Sequence, residues 1–209
     1  ALPIFVVLNL TKRCNLKCDH CYLDATTKAG GGSDELSTEE CFRLIDQIAE
    51  VNKGCLLVIT GGEPLLQGAA LARMAALLQG MSVEIETNGT VAPHPALDPL
   101  VAQYNVSPKL AHSGNDPANA LIPERLLAWA AEPKAWFKFV IAAPEQVDEV
   151  MALAARYEIA PGRIYLMPEG TDSATLRRRE AWLAPLALQH GLRLSDRMHI
   201  HLYGDTRGT

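Results

Sequence analysis

Apolar runs and helical patterns alternate along this chain from end to end. Runs at 4–10, 55–60, 82–87, 104–106, 136–141, 163–167 and 199–203 predict strands. Between them, apolar positions at helical spacing predict helices over about 37–52, 67–79, 119–131, 144–157 and 174–190. The first helix opens on Ser37-Thr38-Glu39-Glu40, a capping box in which Ser37 caps and Glu40 reaches back, and Cys41, Leu44, Ile45 and Ile48 then share one face. Strands alternating with helices call for a parallel sheet joined by right-handed crossovers. About six repeats are too few to close an eight-stranded barrel. The predicted fold is therefore α/β, an open, partial (β/α)6 TIM-like barrel, with residues 1–209 forming a single domain. Such folds place their chemistry at the C-terminal ends of the strands, and the unusual polar motifs of this chain fall there.

The first strand runs directly into Cys14-Asn15-Leu16-Lys17-Cys18-Asp19-His20-Cys21. Three thiolates this close suit a [4Fe–4S] cluster with three irons held by protein and one left open. Zinc usually takes four protein ligands, or three plus water, and the spacing without a nearby second Cys/His pair fits it poorly. Three merely reduced cysteines are the bland alternative. Free cysteine is normally sparse and buried, however, and these are clustered beside Lys12, Arg13 and Lys17. Cys41 and Cys55 fall within a predicted helix and strand and read as core residues.

The second strand ends in Thr60-Gly61-Gly62-Glu63-Pro64, whose glycines permit close backbone approach and whose Glu63 can accept from an ammonium group. A tight turn alone would also explain the glycines. The third ends in Glu86-Thr87-Asn88-Gly89-Thr90, where Asn-Gly is turn chemistry and Glu86 can accept from ribose hydroxyls or a base. The fourth ends in Ser107-Pro108-Lys109, and the sixth in Met167-Pro168-Glu169-Gly170. Several polar turns at one rim favour a ligand site over chance turns. His199 and His201 would share a face of the final strand, placing them to hydrogen-bond or, less readily, to hold a metal. Residues 26–34, 92–99 and 110–120 read as loops.

Composition changes this picture little. Of 209 residues, 48% are hydrophobic and 21% charged, with a net charge of −5, an ordinary globular profile. Mild acidity gives no reason to expect nucleic acid or an anionic membrane. No apolar run reaches the ~18 residues a membrane span needs, and only 13 residues precede Cys14, little room for a cleavable signal. Five cysteines are an odd number for a disulfide framework, and three of them at cluster spacing imply a reducing cytoplasm.

The cysteine triplet together with the Gly-Gly-Glu-Pro motif resembles the radical SAM enzymes. From about residue 60 onward, TGGEPLLQ (60–67), IETNGT (85–90), VSPK (106–109), LMPEGTD (166–172) and HIHLYGDTRGT (199–209) are similar to the 7-carboxy-7-deazaguanine synthases. That resemblance implies a homodimer using S-adenosylmethionine (SAM), one [4Fe–4S] cluster and Mg²⁺, with flavodoxin or ferredoxin as electron donor. It implies contraction of 6-carboxy-5,6,7,8-tetrahydropterin to 7-carboxy-7-deazaguanine with loss of ammonia. Carried onto this sequence, Cys14, Cys18 and Cys21 would ligate the cluster. Gly61, Gly62, Glu63, Glu86, Ser107, Lys109, Met167, Pro168, Glu169 and Gly170 would bind SAM, and Thr60 and Thr209 the substrate. The first 60 residues depart from those synthases: Tyr22-Leu23-Asp24 follows Cys21 where they have Asp-Thr. There the chain resembles radical SAM enzymes that modify tetrapyrrole precursors or peptides, which gives the alternative activity and admits a chimeric origin.

Overall fold

The computed structural model describes residues 5–23, 25, 35–78 and 80–206. Seven strands form one all-parallel sheet in sequence order: β1 (Phe5–Asn9), β2 (Leu56–Thr60), β3 (Ser82–Thr87), β4 (Gln103–Val106), β5 (Ala135–Ile141), β6 (Ile164–Pro168) and β7 (Arg193–Leu194). Sequential order means that each strand pairs with the one made just before it. With β1 and β7 left as unpaired edges, the sheet is open and TIM-like, as the alternation of strand and helix patterns implies. The crossovers carry α1 (Thr38–Val51), α2 (Gly68–Ala75), α3 (Pro117–Ala120) with α4 (Pro123–Ala131), α5 (Glu145–Arg156) and α6 (Ser173–Gln189), and α7 (Met198–Tyr203) follows β7. The link from β3 to β4 holds only a short 3₁₀ turn, Asp98–Leu100. Among the described residues no helix is long and apolar enough to cross a membrane.

Local chemistry accounts for the helix starts. Both halves of the α1 capping box form, Ser37 accepting from the Glu40 N–H and Glu40 from the Ser37 N–H. Asp172 caps α6 by accepting from the Thr175 N–H at 2.8 Å. Proline stands at the first turn of α3 and α4, where its missing N–H costs no helical bond.

Strands β3 to β6 alternate strictly between buried and partly exposed positions. The buried phase, including Ile85, Tyr104, Phe137, Phe139, Ile141 and Leu166, joins Ile45, Leu71, Trp129 and Val150 of the helices in one core. Each such side chain contributes roughly 1.5–3 kcal/mol relative to exposure. The opposite phase is mostly polar or aromatic, with Glu84, Glu86, Asn105, Trp136, Lys138 and Tyr165, and adds Val140 and Met167 near the cleft. Deep on that face, Asn105 Nδ2 donates to Glu84 at 3.0 Å, and the Arg193 guanidinium lies over Trp136 at 4.9 Å. A parallel sheet normally hides both faces under apolar residues. A polar second face therefore marks where a ligand belongs.

The end of the chain differs from expectation. Residues 198–203 form helix α7, not a strand, and the last strand is the two-residue β7. Positions two apart on a helix lie on nearly opposite faces, so His199 and His201 do not share one. His199 is exposed. His201 ties α7 to α6, with Nδ1 at 2.8 Å from Ser173 Oγ and Nε2 at 3.2 Å from Asp196 and 3.5 Å from Glu180. A six-residue apolar–polar stretch cannot distinguish the two periods. Residues 26–34 and Thr209 lie outside the described residues.

Candidate active site

The exit of β2 and the exit of β1 are built against each other. Gly62 N–H donates to Thr11 O at 2.6 Å and Glu63 N–H to Arg13 O at 2.9 Å. A Cβ on Gly62 would stand 2.1 Å from Arg13 O, and one on Gly61, whose φ is +129°, would stand 2.6 Å from Thr11 O. The two glycines thus serve a close approach of backbone to backbone, which seats the residues leading into the cysteine loop. On its other side, Glu35 accepts from the Lys12 N–H at 2.7 Å and the Thr11 hydroxyl at 3.0 Å.

Two braces then hold the cysteine loop itself. The β3 exit supplies one: Asn15 Nδ2 donates to Thr90 Oγ1 at 2.7 Å and Asn88 Nδ2 to Asn15 Oδ1 at 3.0 Å. The loop after β4 supplies the other: Asp19 N–H donates to Ser113 O at 3.0 Å and Lys17 N–H to Asn115 Oδ1 at 2.9 Å. Leu16, Ala25 and Ala120 pack with Cys14 in a small apolar cluster, with Cys18 and Cys21 at its margin. All five cysteines are free thiols.

An open cleft enclosing about 940 Å³ of empty space lies at the C-terminal ends of the strands. Of the residues singled out in the sequence, Cys14, Cys18, Cys21, Thr60, Gly61, Gly62, Glu86, Ser107, Lys109, Met167 and Glu169 line it together. Pro168 is buried at the end of β6, and Gly170 takes φ +153° beyond it without reaching the cleft wall. Each cysteine sulfur receives an N–H: Leu16 N–H on Cys14 at 3.4 Å, Asn115 Nδ2 on Cys18 at 3.2 Å and Ala25 N–H on Cys21 at 3.4 Å. Three cysteines lining one cleft, each sulfur facing a donor, are the donor set an iron–sulfur cluster takes.

Glu63 stands apart from these cleft-lining residues. Its side chain is fully buried and does not line the cleft. Its oxygens accept from Leu65 N–H at 3.0 Å, Thr87 Oγ1 at 2.9 and 3.0 Å and Asn88 N–H at 2.7 Å. The carboxylate expected to meet an ammonium group here ties the β2 exit to the β3 exit. Burial pushes its carboxyl up to about 6, against the opposing pull of those hydrogen bonds and of Lys109.

Several cleft residues carry no motif and were missed. Lys138 pairs with Glu86 at 2.6 Å, and Glu86 also accepts from Thr60 Oγ1 at 2.9 Å. Although burial opposes it, Lys138 with these hydrogen bonds holds the Glu86 carboxyl below the ordinary carboxylate range. A lone lysine in the apolar run Trp136–Ile141, in phase with the half-buried positions, was the available signal. Lys109 Nζ donates to Ser107 Oγ at 2.9 Å, and burial lowers its pKa. Glu169 is paired with Arg179, and Arg197 lines the cleft while donating to Gly170 O at 2.6 Å. His20 lines it too, stacked on His112 with centroids 5.3 Å apart, and burial lowers it to about 4, so it is neutral at physiological pH. Lys138→Met leaves Glu86 half-buried without its cation, which is expected to destabilise the fold by about 2–3 kcal/mol. Urea unfolding of the two chains side by side checks this.

The radical SAM superfamily profile matches residues 8–178. A 7-carboxy-7-deazaguanine synthase of Pyrobaculum aerophilum is 35% identical over 200 residues, 93% of this chain and 84% of that protein. The chain belongs to the radical SAM 7-carboxy-7-deazaguanine synthase family. A match of that extent takes the synthase likeness well into the first 60 residues. A second, shorter likeness is to an Fe-coproporphyrin III synthase of Methanosarcina barkeri, 46% identical over 88 residues, 41% of this chain and 21% of that protein. The solved structure of QueE from Escherichia coli covers 91% of this chain and 84% of its own at a TM-score of 0.61; at 23% identity it speaks for the shared fold. Family membership implies a [4Fe–4S] cluster and SAM.

Proposed function

We propose that this chain converts 6-carboxy-5,6,7,8-tetrahydropterin to 7-carboxy-7-deazaguanine with loss of ammonia, in 7-deazapurine biosynthesis. One observation carries the reading: in a chain matching synthases over most of its length, three cysteines and a polar strand-end rim converge on one cleft. Cys14, Cys18 and Cys21 would hold the cluster. Gly61, Gly62, Glu86, Ser107, Lys109, Met167 and Glu169 would bind SAM, and Thr60, on the same cleft, would meet the substrate. Cluster and SAM, when bound, supply the radical chemistry; the protein binds, orients and shields. In this division of labour Lys138 keeps Glu86 ionised as an acceptor, and neutral His20 covers one wall without adding charge.

The donor set fits Mg²⁺ less well. Among the described residues, both cleft carboxylates are committed to cations, Glu86 to Lys138 and Glu169 to Arg179, and Tyr22 follows the third cysteine. No protein-held Mg²⁺ is part of the proposal. Exposed Arg13 and Lys17 beside the cysteine loop suit docking of an acidic flavodoxin or ferredoxin. A reducing cytoplasm agrees with five free thiols. A homodimer agrees with Met198, Leu202 and Tyr203 standing exposed on α7. The second reading, action on a tetrapyrrole or peptide, is favoured by the Fe-coproporphyrin III synthase match.

Anaerobic reconstitution with iron and sulfide, then incubation with SAM, dithionite and the carboxytetrahydropterin, with and without Mg²⁺, tests both readings by mass spectrometry. 7-Carboxy-7-deazaguanine is the expected product. Deoxyadenosine without it would overturn the substrate and leave the second reading standing.

A further inference from the structure

We propose that Asn115 raises the reduction potential of the cluster held at Cys14, Cys18 and Cys21 by donating its side-chain N–H to the Cys18 sulfur. The inference rests on the reading that these cysteines ligate the cluster. Asn115 lies outside the motifs quoted above, in the loop after β4, yet it faces the cysteine loop across 97 positions of sequence.

Its orientation is fixed independently of the sulfur. The Lys17 backbone N–H, which can only donate, points at Oδ1 at 2.9 Å and so assigns that atom as oxygen. The amide nitrogen must then face the other way, where it stands 3.2 Å from Cys18 Sγ and 3.1 Å from Ser113 Oγ. One N–H satisfies the serine and the other the sulfur. Among the described residues no other side-chain donor comes as near a cluster cysteine: Asn88 Nδ2 is 3.7 Å from Cys14 Sγ. The backbone around the amide is equally constrained. Gly114, at φ +75°, packs where a Cβ would stand 2.3 Å from an Asp19 oxygen, and Asp19 N–H is bound by Ser113 O.

A donor fixed on a ligating sulfur stabilises the state with more negative charge on it. One-electron reduction adds that charge without making or breaking a bond, the electron coming from the reductant. The donor therefore favours the reduced cluster and raises its potential.

The test is an EPR-monitored dithionite titration of the reconstituted wild-type, Asn115→Ala and Asn115→Asp proteins. Asn115→Asp keeps the oxygen that accepts from Lys17 but removes the donor, while Asn115→Ala removes the donor without adding charge. Both midpoints are expected to fall, the alanine variant by roughly tenfold in the reduction equilibrium, about 59 mV for a one-electron couple. Unchanged midpoints in both would overturn the proposal, as would a fall in Asn115→Asp alone, which would be a charge effect. Should Asn115→Ala fail to load iron, Asn115→Leu, equally uncharged and without a donor, takes its place. If neither loads, Asn115 is a structural brace and the proposal fails. A wild-type protein that takes up no cluster would instead remove the cysteine assignment on which the inference stands.

Discussion

Gly62→Ala is expected to leave the sheet folded and to empty the active site. The added methyl would sit 2.1 Å from Arg13 O, a backbone atom that cannot swing aside as a side chain can. Either the β2 exit or the 11–13 segment must move, and the latter runs directly into Cys14. Displacing a ligating residue by about 1 Å costs on the order of a hundredfold in rate. Iron content, cluster absorbance and product formation should therefore fall together, with the far-ultraviolet circular dichroism unchanged. A variant with full iron and normal turnover would show that this backbone contact does not seat the loop.

Glu63→Ala should have the largest effect on stability. Removing the carboxylate leaves the Leu65 and Asn88 N–H groups and the Thr87 hydroxyl without their buried acceptor. Each such loss costs ~1–3 kcal/mol, so the three together cost about 3–9 kcal/mol, at the low end roughly 10 °C in Tm for a chain of this size. The same carboxyl makes stability depend on pH. Its pKa in the folded chain is pushed up by burial to about 6, against ~4.3 in the unfolded chain. The folded state thus binds this proton more tightly. Ionisation is a cost to folding that is absent below ~4.3, grows as pH rises through 6 and is complete above it, about 2 kcal/mol in all. Urea unfolding of wild type against Glu63→Gln, from pH 4.5 to 7.5, should show the wild type losing about that much relative to the variant. A flat difference would mean that the buried carboxyl titrates normally.

How far the sequence could be read depended on the length of each signal. The β-branched runs of β2 and β3 and the Ser37–Glu40 capping box are local and unambiguous, so sheet and crossovers were legible. The Cys14–Cys21 spacing named its chemistry unaided. Failure began where meaning is set by partners far along the chain. Nothing local to Glu63 shows that Thr87 and Asn88 will absorb its oxygens, and nothing local to Asn115 ties it to Cys18. At the C-terminus the two-residue β7 is too short to pattern, and six residues of α7 mimic a strand. Lys138 stood in plain view, one charge in an apolar run, and its significance follows only from the phase it shares with the half-buried positions.

The sequential strand order has a consequence for how the holoprotein is made. A sheet whose every strand pairs with its predecessor can grow as the chain leaves the ribosome. The cysteine loop is made almost first, but its supports arrive in instalments: Gly62, then Asn88 and Thr90, and finally Ser113 and Asn115. Until residue 115 has been made, the thiols that take iron lack their full frame. Cluster insertion into the native loop thus belongs to the second half of synthesis or later, and a nascent chain halted before residue 115 still exposes three reduced cysteines to any metal it meets.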